Sequence, residues 1–131
     1  MQNGPNTNIV LEFFEAWSTR DLDHIMRYFA KDALYHNIPM DPAQGHAAIR
    51  EMLAPFIGMA REIEWVTHAI AETEQGQVLS ERTDWFLIGE HWVKVPVMGI
   101  IALDGGGRIS LWKDYFDLGQ FQAQLPKPPP S

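Results

Sequence analysis

One arginine and two aspartates stand out within otherwise apolar stretches of this sequence. Arg82 and Asp84 lie two residues apart in Val78–Ile88, and alternate residues of a strand point to the same face. Asp114 lies between two aromatic residues on one face of a second predicted strand. A carboxylate among aromatic rings is costly to desolvate unless it is paired or protonated. If the two faces line one concavity, Arg82 can bridge Asp84 and Asp114.

The charge of such a trio indicates what it could do. Two carboxylates and one guanidinium sum to −1, and one added proton makes the cluster neutral. A dry pocket favours the neutral form, which holds a carboxylic acid beside a carboxylate. Adding water across an epoxide needs both, because the oxygen that leaves must gain a proton and water must lose one. From spacing alone, however, a surface ion pair is the commoner explanation of Arg82 and Asp84.

Tyr35 and Asn37 form a second pair on one predicted strand face. Their hydroxyl and carboxamide groups could hold a water molecule against a carboxylate base. A half-buried tyrosine and a turn asparagine ahead of Pro39 would explain the same residues, and without other information that explanation is favoured.

Other kinds of site find little support in the sequence. There is no cysteine, which removes thiolate nucleophiles and zinc-thiolate sites. The histidines form no HExxH or similar pairing. Ser80 and Ser110 lack a Gly-x-Ser-x-Gly context, and residues 104–107 suit a hairpin turn better than a phosphate loop. We therefore expect no metal ion and no cofactor.

The first half of the chain is predicted to be helical. Asn8 and Asp21 are expected to cap two helices with apolar residues at helical spacing. Residues 34–38 look extended, and a third helix follows Gly45. Pro55 is expected to bend or shorten the end of that helix.

The second half is predicted to form strands at 62–73, 78–88, 92–103 and 108–117, separated by turn residues. Helices followed by an antiparallel meander imply an α+β fold. We expect a curved mixed or antiparallel sheet that forms a cone, with the N-terminal helices packed over its concave face. An apolar pocket would lie between sheet and helices.

Composition limits the class of protein and its partners. Residues 1–131 suit a single domain, and the proline-rich segment 126–131 is expected to be disordered. The net charge of −7, without a cluster of basic residues, argues against nucleic-acid or anionic-membrane partners. Without a leader-like or membrane-length apolar segment, a cytoplasmic location is expected.

Six short segments in this order carry a family resemblance, which spans about residues 9–121. They are Ile9-Val10-Leu11-Glu12-Phe13, Tyr28-Phe29-Ala30, Tyr35-His36-Asn37-Ile38-Pro39, Glu81-Arg82-Thr83-Asp84, Pro96-Val97-Met98-Gly99 and Trp112-Lys113-Asp114-Tyr115-Phe116-Asp117-Leu118. Together they resemble the limonene-1,2-epoxide hydrolase family, a branch of the cone-shaped folds named after nuclear transport factor 2.

The resemblance implies a role for each of the five polar residues. Asp114 would be the general base and would act on a water also held by Tyr35 and Asn37. Asp84 would be the general acid, with Arg82 between the two carboxyls. Water would add in one step to an apolar cyclic or terpene-like epoxide and give a vicinal diol, without a covalent enzyme intermediate. The family also implies a homodimer packed through the sheet.

The expected substrate pocket is a larger set of mainly apolar side chains. These are Met40, Phe86, Ile88, Trp92, Val97, Met98, Trp112 and Phe116. Two other functions remain open: an isomerase of the ketosteroid type and a non-catalytic cone that binds small molecules. An arginine between two carboxylates is of no use to the isomerase. Groups that position water are of no use in binding an apolar ligand.

Overall fold

A computed structural model describes residues 4–126, which form four α-helices and six β-strands. In chain order the elements are α1 (Pro5–Ala16), α2 (Leu22–Met26), β1 (Phe29–Ile38), β2 (Ala43–Gln44), α3 (His46–Met59), β3 (Glu62–Glu72), β4 (Val78–Ile88), β5 (His91–Leu103), β6 (Ile109–Tyr115) and α4 (Leu118–Gln124). A short 3-10 turn at Trp17–Thr19 follows α1. All but the first residue of the predicted disordered tail, 126–131, lies outside the described residues.

The six strands form one mixed sheet in the order β2-β1-β6-β5-β4-β3. β1 runs parallel to β6, and every other neighbouring pair is antiparallel. The sheet is curved and does not close, so the predicted α+β class and the meander from β3 to β6 are confirmed. The parallel pairing sets Asn37 opposite Asp114 and Tyr35 opposite Trp112. It thereby brings the second half of β1 beside the end of β6.

The helices cover one face of the sheet through an aromatic core. Phe13 of α1 is fully buried and meets the ring of Trp112 edge-on, with the ring centroids 5.0 Å apart. It meets Phe29 in the same way at 5.5 Å. These contacts follow from the helical spacing of Val10, Phe13 and Phe14 in α1, which places these three buried residues on the side that faces the sheet. Burying each such side chain contributes roughly 1.5–3 kcal/mol.

The helix ends agree only in part with the predictions. Asp21 caps α2 by accepting a hydrogen bond from the backbone N–H of His24 at 3.2 Å, as predicted. The prediction for Asn8 was wrong, because α1 begins at Pro5 and Asn8 lies inside it. Proline suits the first turn of a helix, where its missing N–H costs nothing. Pro55 does not shorten α3, which continues to Met59.

The last helix, α4, was not predicted. Asp117, predicted to lie at the end of a strand, caps it by accepting a hydrogen bond from the backbone N–H of Gln120 at 2.9 Å. Phe121 of α4 is buried, and its ring lies 6.0 Å from that of Phe56. The helix therefore closes one end of the space between α3 and the sheet. Within residues 4–126, no helix has the length and hydropathy needed to cross a membrane.

Candidate active site

The five polar residues proposed from the sequence meet on the inner face of the sheet. Arg82 and Asp84 lie on β4, Asp114 on β6, and Tyr35 and Asn37 on β1. Each keeps less than a tenth of its surface exposed, from 1% for Arg82 to 9% for Asn37. Polar groups buried this deeply need partners, because desolvation without a hydrogen bond is costly.

Arg82 bridges the two aspartates. Its Nε donates to Asp84 Oδ1 at 2.7 Å and its Nη2 to Asp84 Oδ2 at 3.1 Å. Its Nη1 donates to Asp114 Oδ1 at 3.2 Å, and Nη2 also donates to Asp114 Oδ2. The planar guanidinium thus forms a two-point contact with each carboxyl, a geometry that lysine cannot reproduce.

Aromatic rings from two elements enclose the guanidinium. The central carbon of Arg82 lies 4.7 Å from the ring centroid of Phe14 and 4.4 Å from that of Trp65. Cation–π contacts of this kind strengthen when water is excluded. The arginine is therefore fixed by the rings of Phe14 and Trp65 as well as by the carboxyls beside it.

The trio differs from an ordinary ion pair in its proton affinity. Burial raises the pKa of Asp84 to about 7, although the guanidinium of Arg82 acts in the opposite direction. Burial lowers the pKa of Arg82, but Asp114 and Asp84 raise it more, so the arginine stays charged. At neutral pH a large fraction of Asp84 is therefore protonated. The trio can hold an acid beside a base.

Tyr35 and Asn37 lie next to Asp114 along the β1–β6 pairing. The ring of Tyr35 stacks on Trp112, with centroids 4.3 Å apart and planes 26° from parallel. Burial, followed by the charge of Asp114, raises the pKa of Tyr35 well above its ordinary value, so its hydroxyl remains a donor. Asn37 is the direct neighbour of Asp114 in register, and its amide contacts the sulfur of Met40 at 3.8 Å.

Two further residues position Asp114, and we had not assigned them that role. Trp112 Nε1 donates to Asp114 Oδ1 at 2.8 Å. Gly99 lies opposite Asp114 on β5, where an added Cβ would overlap the carboxylate and lie 2.9 Å from the carbonyl oxygen of Lys113. The absence of a side chain at Gly99 lets the carboxylate occupy its position. The only sequence signal was a glycine within a predicted strand, which often marks close approach.

Asp84 and Asp114 line a cavity with about 410 Å³ of empty space, part of which is open to solvent. Tyr35 and Asn37 line it too, together with four of the predicted pocket residues, Phe86, Val97, Trp112 and Phe116. Its remaining lining residues were not foreseen: Trp17, Phe56, Trp65, Val95 and Phe121. The mouth and walls are mainly aromatic and aliphatic, as is usual for small-molecule sites.

Four other predicted pocket residues do not line this cavity. Trp92 and Met98 are 45% and 51% exposed, on the outer face of the sheet. Neighbouring residues of a strand point to opposite faces, so Met98 cannot share the cavity with Val97. Ile88 is packed in the core beyond Phe86, and Met40 follows β1 outside the cavity wall.

Residues 4–126 contain no group of three or more His, Asp or Glu side chains arranged to hold a metal ion. His68 uses its Nε2 in a contact of 2.7 Å with Thr83 Oγ1. His46 lies 3.0 Å from the carbonyl oxygen of Phe29. These two histidines therefore take part in local hydrogen bonding, away from the aspartate pair.

Comparison with known proteins relates this chain to enzymes. Residues 4–127 match the family model described as the limonene-1,2-epoxide hydrolase catalytic domain. The epoxide hydrolase EphG of Mycobacterium tuberculosis is 32% identical over 106 residues, which cover 81% of this chain and 69% of EphG.

Solved structures agree in fold. An LEH-like epoxide hydrolase from M. tuberculosis superposes with a TM-score of 0.77 at 30% identity, covering 92% of this chain and 88% of that one. SalBIII, described as an epoxide hydrolase/cyclase-like enzyme in pyran ring formation in the polyether salinomycin, has a TM-score of 0.78. At 20% identity, with 88% of this chain and 92% of SalBIII covered, it supports the fold alone. The chain belongs to the limonene-1,2-epoxide hydrolase family of enzymes.

Proposed function

We propose that this chain is a cofactor-independent epoxide hydrolase that adds water in a single step to an apolar cyclic or terpene-like epoxide. The product is a vicinal diol. The observation that carries the proposal is the buried bridge from Asp84 through Arg82 to Asp114, which opens into an apolar cavity. The epoxide hydrolase EphG, a relative of this chain, supports the same class of activity.

Asp84 is the general acid of the proposed reaction. Its pKa of about 7 means that it can carry a proton in a neutral solution and release it to the epoxide oxygen. As the carbon–oxygen bond breaks, that oxygen gains the proton and becomes a hydroxyl group. The Asp84 carboxylate that remains is stabilised by the two hydrogen bonds from Arg82.

Asp114 is the general base. Its carboxylate accepts from Arg82 and from the indole N–H of Trp112, which fixes its orientation while leaving it in contact with the cavity. Tyr35 and Asn37 flank it and offer groups that can hold the attacking water. Asp114 removes a proton from that water as it attacks carbon, and no ester with the enzyme forms.

The proton balance closes through solvent. Each turnover moves one proton to Asp114 and one from Asp84, so the pair ends with the opposite arrangement of charge. Arg82 contacts both carboxyls and can stabilise either arrangement without moving. Proton exchange with water at the cavity mouth then restores the starting state.

Single turnover in oxygen-18 water tests the proposal. Enzyme in excess over cyclohexene oxide should give diol that carries one labelled oxygen, with no label in the protein. Label in Asp84 or Asp114 after digestion and mass spectrometry would instead indicate an ester intermediate. If no epoxide of a panel of cyclic and terpene epoxides gives a diol, the proposed activity itself is refuted.

We also propose that the chain forms a homodimer through the outer face of the sheet. Leu79, Met98 and Tyr115 are 38–51% exposed and lie on the neighbouring strands β4, β5 and β6. Met98 pairs directly with Tyr115 across β5 and β6, and the two side chains form an exposed apolar pair beside Glu81 of β4. Sedimentation analysis should give a dimer that Met98→Glu converts to a monomer; a monomeric wild-type protein at micromolar concentration would refute it.

A further inference from the structure

Two indole groups of the cavity wall have hydrogen-bond donors without acceptors. Trp17, 2% exposed, and Trp65 both line the cavity. The Nε1 atom of each is buried and has no hydrogen-bond partner within residues 4–126. Trp112 in the same wall shows the usual arrangement, since its Nε1 donates to Asp114. Nearly all buried polar groups in folded proteins have a partner, so two exceptions in one cavity require an explanation.

Packing alone does not explain the choice of tryptophan at these positions. The two rings stack with centroids 4.3 Å apart and planes 19° from parallel, a contact that phenylalanine rings could also make. An indole N–H can only donate, and leaving it unpaired in a buried site costs free energy. Retaining two such donors is advantageous if a bound molecule supplies the acceptor.

We propose that Trp17 and Trp65 donate hydrogen bonds to a second, neutral oxygen of the substrate, besides the epoxide oxygen. This inference rests on the proposed hydrolase function and narrows its substrate class. The substrate would be an apolar epoxide that also carries an ether, hydroxyl or ketone oxygen. A carboxylate or phosphate is disfavoured, because Asp84 and Asp114 line the same cavity and Arg82 is already engaged with both.

The structure also indicates how far this second oxygen lies from the reacting ring. Trp65 is the direct neighbour of Asp84 across β3 and β4, and its ring rests on the guanidinium of Arg82 at 4.4 Å. The Trp17 ring lies 5.9 Å from that of Trp112, which holds the base. The two indole rings thus lie next to the acid and base, and the proposed extra oxygen belongs a few bonds from the epoxide.

A matched pair of substrates tests the inference. Cyclohexene oxide is compared with its analogue in which one ring CH₂ is replaced by oxygen, and each kcat/KM is divided by the rate of acid-catalysed hydrolysis in solution. We expect the wild type to favour the ring-oxygen epoxide by roughly 3- to 10-fold, as one or two ordinary hydrogen bonds would give. Trp17→Phe and Trp65→Phe should each reduce that ratio towards one, whatever their absolute rates.

Trp92→Phe is the matched control, because Trp92 is 45% exposed and lies outside the cavity. It should keep the wild-type ratio. If the wild type shows no preference, or if the two cavity variants keep it, the inference fails. Hydrolysis of both epoxides in those cases would leave the proposed function intact.

A binding measurement separates the inference from catalysis. Asp114→Asn protein with ¹⁵N-labelled tryptophan is titrated with each epoxide, and the indole N–H signals of Trp17 and Trp65 are assigned from their Phe variants. Both signals should move downfield with the ring-oxygen epoxide and much less with cyclohexene oxide. Equal shifts with both, or none, would indicate that water or a neighbouring ring already satisfies these donors. Shifts without any hydrolysis by the wild type would refute the proposed function while supporting the binding site.

Discussion

Two arginine–aspartate pairs in this protein have almost the same shortest nitrogen–oxygen distance and very different surroundings. On the surface, Arg50 Nη2 lies 2.8 Å from Asp23 Oδ1, and the two side chains are 46% and 72% exposed. In the cavity wall, Arg82 Nε lies 2.7 Å from Asp84 Oδ1, and the exposures are 1% and 7%. Distance does not distinguish the pairs, whereas access to water does.

The environment decides what each pair can do. In water, two charges 4 Å apart attract each other by only about 1 kcal/mol, and exposed pairs contribute about 0–1 kcal/mol to stability. In the buried site, removing water costs several kcal/mol for each ion, which favours a neutral carboxyl. The pKa of Asp84 rises to about 7 for this reason. Chemistry therefore depends on burial of the aspartate and on a second carboxylate across the same arginine.

The largest expected difference is in catalysis. Asp84→Asn and Asp114→Asn should each lower kcat/KM on cyclohexene oxide by at least about 10²- to 10³-fold, because each removes one half of the acid–base pair. Asp23→Asn, the matched change in the surface pair, should leave it within about twofold. Melting temperatures of the two buried variants should stay close to that of the wild type, since each variant keeps one carboxylate to neutralise Arg82. Wild-type turnover in both would disprove the assignment.

A smaller loss of catalytic rate is expected when the Asp114 carboxylate is displaced but not removed. Gly99→Ala places a methyl group against Asp114, so the base must shift. Misplacement of a reacting group by about 1 Å can cost up to about 10²-fold in rate, and we expect a 10- to 100-fold fall in kcat. Gly58→Ala is the control, because a Cβ there would meet no atom within 4 Å. Equal kcat for Gly99→Ala and wild type would show that the carboxylate tolerates the methyl group.

Above pH 7, kcat/KM should fall about tenfold for each pH unit. Asp84 must be protonated to act as the acid, and its raised pKa of about 7 means that it is protonated below that pH. Hence log(kcat/KM) should fall with a slope approaching −1 above pH 7. A profile flat from pH 6 to 9 would argue that Asp84 does not deliver the proton.

Strand alternation predicted that Arg82 and Asp84 share one face, but it did not predict that this face is buried. The even residues of Val78–Ile88 share the inner face, and the strand has the predicted bounds. The same alternation rule places Met98 on the face opposite to Val97. The prediction that both residues line the pocket therefore applied the rule incorrectly. Alternation within a strand predicts which side chains share a face, and this prediction requires no knowledge of the neighbouring strands.

The partners of the pair depend on long-range register, which a single sequence does not carry. Nothing local indicates that β1 lies parallel to β6, yet that pairing brings Asn37 beside Asp114. The opposition of Gly99 and Asp114 likewise depends on the pairing of β5 with β6. Family resemblance suggested Asn37 and Asp114, but it gave no reason for Gly99 or for the indole of Trp112.

The smallest expected effect is on the stability contributed by the exposed pair. The dependence of this effect on salt concentration distinguishes the exposed pair from the buried one. Asp23→Asn should lower the free energy of unfolding by less than about 1 kcal/mol in dilute buffer. At 1 M salt the Debye length falls to about 3 Å, so the loss should largely disappear. Removing Arg82's partner by Asp84→Asn should give a stability change that is nearly independent of salt, because ions do not reach a side chain 7% exposed. Urea unfolding of both variants at low and high salt checks this. If both changes vary equally with salt, water and ions reach the cavity pair as freely as the surface pair, and burial cannot be what separates them.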